Sequence, residues 1–127
     1  MQLKMQDILG FPVFYETVKS QKLPMKIAYR LAQLSKAIDG ELQFYREKLQ
    51  AIIQEYGETD EEGKPIFTED GSGIKLRPGT DMQCMAAMHE LQMLDVMLPD
   101  IKFHLEDFGD IELSMAEMAA ILPFIEE

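Results

Sequence analysis

The chain holds a single cysteine, Cys84, and no tryptophan. One thiol excludes an intramolecular disulfide and a multi-cysteine zinc site, which fits a protein kept in a reducing cytoplasm. No run of 18 apolar residues and no secretory leader is present, so no membrane span is expected. Positive charge is scarce: 12 Lys and Arg stand against 23 Asp and Glu, a net charge of −11. Such a surface repels duplex nucleic acid and anionic membranes, and neither is expected as a partner. The phosphate-cradling loop, the dinucleotide-binding glycine series and the serine nucleophile elbow are all missing. Gly71-Ser72-Gly73 is a turn tripeptide. What is there is a folding composition: 46% hydrophobic residues over 127 positions, enough for one domain spanning 1–127.

The charge is divided unequally. Residues 1–54 carry eight basic groups and five acids, whereas residues 55–127 carry four basic groups and eighteen acids. This +3 and −14 division can hold two parts of one fold together, hold two copies together, or leave a basic patch on an acidic body.

Periodicity and punctuation organise the chain. Residues 1–21 read as two short helical pieces parted at Gly10-Phe11-Pro12, because Pro12 suits a first turn. From Pro24 to Tyr56, Ile27, Leu31, Leu34, Ile38, Leu42, Tyr45, Leu49, Ile52 and Tyr56 advance by three or four, the helical period. One helix over 24–56 follows, opened by Pro24 and closed by Gly57. At 1.5 Å per residue it spans roughly 50 Å, which calls for a kink near Gly40 or for cover from another subunit. Residues 58–79 are turn-rich around Ile66-Phe67-Thr68 and Ile74-Lys75-Leu76, which reads as a β-hairpin tip.

Thr80 and Gln83 stand in capping-box spacing before a second helix over 80–98. Its Met82, Met85, Met88, Leu91, Leu94 and Leu98 read as one stripe, with core as the expected use and a face shared between subunits as the competitor. Over 100–127, alternation of Ile101, Phe103 and Leu105 with polar residues reads as a strand with one buried face. Ser114 and Glu117 then cap a short helix ending near Pro123. The expected fold is α+β and predominantly helical: a long antiparallel helical hairpin, a small β-hairpin tip, and a short C-terminal strand–helix unit.

Chemistry-bearing residues are dispersed. His89 and His104 lack a His or Cys at metal-ligand spacing, and Cys84 has no base one helical turn away. The acids near Glu58–Glu62 and Glu106–Glu112 lack the calcium-loop series. No catalytic residue, metal or cofactor is therefore expected, and the protein is read as a non-enzyme. The one suggestive cluster is Lys19, Lys22, Lys26 and Arg30, spaced by three or four where the long helix begins. Cations disfavour a helix N-terminus, so an anion or an acidic partner loop would account for them, with Tyr29 as stacking surface. A solvated basic face paired with the chain's own acidic half is the default reading of the same residues.

Several motifs carry a resemblance. Lys22-Leu23-Pro24-Met25-Lys26-Ile27-Ala28-Tyr29-Arg30-Leu31 is followed by Glu55-Tyr56-Gly57-Glu58 and Gly63-Lys64-Pro65-Ile66. Ile111-Glu112-Leu113-Ser114 with Glu117 and Leu122-Pro123-Phe124-Ile125-Glu126 follow later. This order resembles a family of small bacteriophage and prophage proteins of unknown function, over most of Lys22 to Glu127. The resemblance implies a phage origin and transfers no activity or functional residue. The expectation is a phage accessory protein of the host bacterial cytoplasm that acts by binding against host defence. It would occlude a host defence protein or sequester a small anionic nucleotide. A virion assembly helper acting through oligomerisation is the alternative, and a homo-oligomer is expected in either case.

Overall fold

Short-range signals set the helix ends. In the computed structural model, which describes residues 1–126, the carbonyl of Pro24 accepts the first helical bond from Ala28 N–H at 3.0 Å. Helix α3 then runs unbroken from Met25–Tyr56, continuous in its hydrogen bonding through Gly40. At its far end Gly57 N–H donates to Ile53 O at 2.7 Å, and the Arg77 guanidinium donates to Glu55 O. A cation on the last carbonyls satisfies groups the helix leaves free and opposes its dipole.

The described chain is predominantly helical, with one two-stranded antiparallel sheet, and so belongs to the α+β class. It divides into two compact units, Met1–Leu42 with Asp95–Glu127, and Gln43–Leu94.

In the first unit, strand β1 (Gln2–Lys4) pairs antiparallel with β2 (Asp95–Met97), placing Leu3 opposite Val96. Lys4 and Asp95 form an ion pair across the ladder. Two short helices follow β1, α1 (Met5–Ile8) and α2 (Phe11–Val18), with Pro12 in the first turn of α2 as its fixed φ favours. Helix α2 packs on α5 (Met115–Ile121). Gly10 makes the approach possible, because a Cβ there would lie 3.3 Å from Ala120 Cβ. Phe11, Phe14, Phe103, Phe108 and Phe124 fill the interior, Phe14 meeting Phe108 edge-on at 5.6 Å between centroids. Ile27, Leu31, Leu34, Ile38 and Leu42 are the buried side of α3 here, the spacing that its period requires.

Two expectations fail in this unit. Residues 1–21 are not helical throughout, since Gln2–Lys4 is a strand. The strand expected near Ile101–Leu105 is reduced to one parallel bridge, Phe103 with Ile125. Phe103 is buried but Leu105 is 62% exposed, because Leu105–Phe108 winds into a 3-10 turn that ends the alternation. Ser114 caps α5 as expected: its hydroxyl accepts from Glu117 N–H at 3.1 Å, and Glu117 accepts from Ser114 N–H at 3.0 Å.

In the second unit, residues 57–80 are held by single bridges, Gly57 with Leu76, Thr59 with Pro65 and Phe67 with Ile74, instead of strands. Asp70 fixes one turn, accepting from the Thr68 hydroxyl at 2.6 Å and from Ser72 N–H at 3.1 Å. Those donors hold its carboxyl down to about 2. Helix α4 covers Asp81–Gln92, shorter than the expected 80–98. Its C-terminal part is replaced by β2, where the ladder to β1 claims the backbone groups of Asp95–Met97. Thr80 does not cap α4, because its hydroxyl donates to Arg77 O at 2.7 Å.

The burial of the two units differs sharply. Eighteen apolar side chains are buried among the described residues; seventeen lie in the first unit and one, Leu91, in the second.

Candidate functional site

The basic row is built from two elements. Lys19 follows the last turn of α2, and its ammonium pairs with Glu16 at 2.8 Å, which raises its pKa by a hydrogen bond and by charge. Lys22 lies between α2 and α3. Lys26, Tyr29 and Arg30 share one exposed face of α3 by their spacing, with the Tyr29 hydroxyl accepting from Gln33 at 3.3 Å. Lys22 and Arg30 open onto different grooves, both furnished with acids. Lys22 shares its groove with Glu106, Asp107 and Asp110, and Arg30 shares its own with Asp100, Lys102 and Glu126. A phosphate at either place would meet at least as much negative charge as positive. The five residues Lys19, Lys22, Lys26, Tyr29 and Arg30 therefore do not converge on one cradle.

The groups considered for catalysis also stay apart. Cys84 is half-buried on α4, and His89 is exposed further along the same helix. Their spacing of five residues turns them about 140° from one another. His104 belongs to the first unit, where it lies 4.0 Å from Glu126 of the same unit. No group of three or more His, Cys, Asp or Glu side chains is placed to hold a metal among the described residues. No helix there is long and apolar enough to cross a membrane.

Apolar surface is the site material that the chain does offer. In the first unit, a groove of about 320 Å³ is lined by Leu105, Ile111, Leu113, Met115, Met118 and Ile125. Met115 is 90% and Leu122 56% exposed, so α5, buried through Ala120 and Ile121, is apolar on its outer side as well. Its lining holds no charged side chain, and the two grooves that share Leu105, Phe108, Ile111 and Ile125 with it bring Glu106, Asp107, Asp110 and Glu126, with Lys22, to its edges. An apolar floor whose edges are mostly acidic favours an apolar ligand that carries the opposite charge.

In the second unit, a groove of about 260 Å³ runs between Phe44, Ala51 and Ile52 of α3 and Ala87, Leu91 and Leu94. Lys48 lies over the Phe44 ring, 5.4 Å from its centroid. The methionines are elsewhere. Met82 and Met85 are 84% and 70% exposed whereas Leu91 and Leu98 are buried, so the expectation that the stripe is core fails at its first two positions and holds at these leucines. The reason is geometric: a repeat of three falls short of the 3.6-residue turn, and over the nine residues from Met82 to Leu91 it drifts half-way round the helix. The sequence carries that signal, since the apolar residues of α4 fit two faces and not one.

No family model, no curated protein and no solved structure matches the chain.

Proposed function

We propose that the chain is a non-enzymatic binding protein of phage origin that seats on a basic, apolar segment of a host protein and occludes it. The observation that carries this reading is the apolar groove beside α5, floored by Leu105, Met115 and Met118 and bordered by the acids of its adjoining grooves. Exposed apolar area of this kind has an unfavourable contact with water that a partner relieves, and the acids select a cationic partner. A defence protein of the host bacterial cytoplasm is the kind of target that suits it. Sequestration of an anionic nucleotide has less support, because Lys22 and Arg30 sit among acids of their own unit. In the same reading the end of α3 and α4 are the arms of a helical hairpin; their common groove supports this.

The test is a pull-down from a lysate of susceptible bacteria, with native mass spectrometry of the purified protein beside it. The expected outcome is a captured protein that is lost on Leu105→Lys with Met115→Lys, two exposed groove positions where added cations repel a basic segment, and retained on Lys26→Glu with Arg30→Glu. A retained nucleotide that disappears with the second pair, or the lack of any groove-dependent protein, overturns the reading.

A further inference from the structure

We propose that α4 is the seam of a homodimer, in which two copies of this chain meet antiparallel along Met82, Ala86, His89 and Met93. The inference stands on the second unit alone and is independent of the groove beside α5.

Gln43–Leu94 buries one apolar side chain, Leu91, among its described residues. An element set with so little interior needs cover from elsewhere to hold its form. Helix α4 shows where the cover goes. Ala87, Leu91 and Leu94 face the groove shared with α3, and the methionine side is open to water. A helix apolar on both sides is normally buried on both.

The open side identifies its occupant. Met82, Ala86, His89 and Met93 are all exposed and are spaced by four, three and four, the seam of a coiled coil. Met93 stays on the helical path, its N–H bonded to His89 O at 3.0 Å. Read backwards the spacing is unchanged. A two-fold axis near Ala87–Met88 therefore sets Met82 against Met93 of the second copy and His89 against Ala86, so one surface serves both partners. The small Ala86 leaves room for the imidazole and for close approach of the helices. Charge points the same way. No Lys or Arg occurs between Arg77 and Lys102, and the acids of α4, Asp81 and Glu90, flank the seam on opposite sides without entering it. A strongly charged partner finds no complement there, whereas a second neutral seam does. A helix pair of this length lies at the small end of specific interfaces, which sets the dimer in the micromolar range.

Sedimentation velocity of the full chain tests the proposal. The expected species at about 100 μM has twice the 14.6 kDa chain mass and dissociates on dilution. Met82→Glu should leave the helix intact, because Met82 is 84% exposed and Glu is favourable in a first turn. It should weaken the dimer at least about 100-fold by setting an unpaired carboxylate against Met93 of the second copy. In a Cys84→Ser background, Met82→Cys with Met93→Cys should oxidise to a covalent dimer while neither single substitution does. The eleven-residue separation, roughly 16 Å, prevents a link within one helix and a self-link across an antiparallel pair. A monomer at about 100 μM overturns the proposal. So does a Met82→Glu protein that still dimerises, or a single cysteine that cross-links to itself.

Discussion

Phe14→Ala removes the side chain on which the interior of the first unit turns. Phe14 is fully buried, its ring 6.0 Å from Phe11 and 5.6 Å from Phe108, the latter edge-on. Truncation withdraws on the order of 150 Å² of apolar surface, worth ~4 kcal/mol at about 25 cal/mol/Å². The cavity left behind places the total at about 4–5 kcal/mol, near the top of the range for such substitutions. A domain of this size is stable by about 5–15 kcal/mol, so the variant loses roughly a quarter or more of its margin. Urea unfolding followed by far-UV circular dichroism measures the loss: with a slope of about 2 kcal/mol per molar, the midpoint falls by about 2 M. Val13→Ala is the control, one position away on α2 but 57% exposed, and should cost under about 0.5 kcal/mol. A loss below about 1 kcal/mol for Phe14→Ala, or equal losses for the two variants, would refute the assignment of this interior.

Three further outcomes are expected. Ser114→Ala leaves Glu117 N–H without its acceptor and should cost ~1 kcal/mol of thermal stability, with Ser114→Thr retaining most of it. Glu117 is held below the usual carboxylate range by the Thr17 hydroxyl, then by Ser114, so Thr17→Val should raise its titration midpoint as read by carbon-detected NMR. A depressed carboxyl contributes stability above its unfolded pKa and loses it as pH falls through the folded one. The gap between wild type and Thr17→Val should therefore be full at neutral pH and close in acid; a gap independent of pH contradicts the pairing. At Gly57 a Cβ would meet Ile53 O at 2.4 Å and Ile74 Cγ2 at 3.2 Å, and the carbonyl belongs to the helix backbone. Gly57→Ala should cost roughly 1–3 kcal/mol, with faster amide exchange in the last turn of α3 as the readout.

Local signals were legible, and distant ones were not. Pro24 and Gly57 bracket a helix whose burial follows its apolar period as far as Leu42, and the Ser114–Glu117 box opens α5 as its spacing requires. These depend on residues within a few positions of one another. Gln2–Lys4 and Asp95–Met97 are each three residues long, too short for a period to show, and are strands because of each other. Beyond Leu42 the apolar stripe of α3 continues in the sequence, but Tyr45, Leu49 and Ile52 are only half-buried, since periodicity names a face without naming what covers it. For the site, the basic row was visible as charge while its acidic neighbours came from residues 100–126, seventy or more positions away. The methionine face was visible as composition, and its direction required the helical angle that a spacing of three obscures.

The first unit is assembled from two separated lengths of chain, and this bears on how it forms. Leu3 must find Val96, and Phe11 must find Phe124, before the interior exists. The entropy of closing so long a loop grows only as the logarithm of its length, so the intervening Gln43–Leu94 adds little to the equilibrium cost. Its effect is on time. Contacts of such wide separation slow folding, and during synthesis Phe11 and Phe14 wait, uncovered, until Phe103, Phe108 and Phe124 have been made. The interval in which this chain most invites aggregation is therefore the interval of its own translation, and it is set by the order of its phenylalanines.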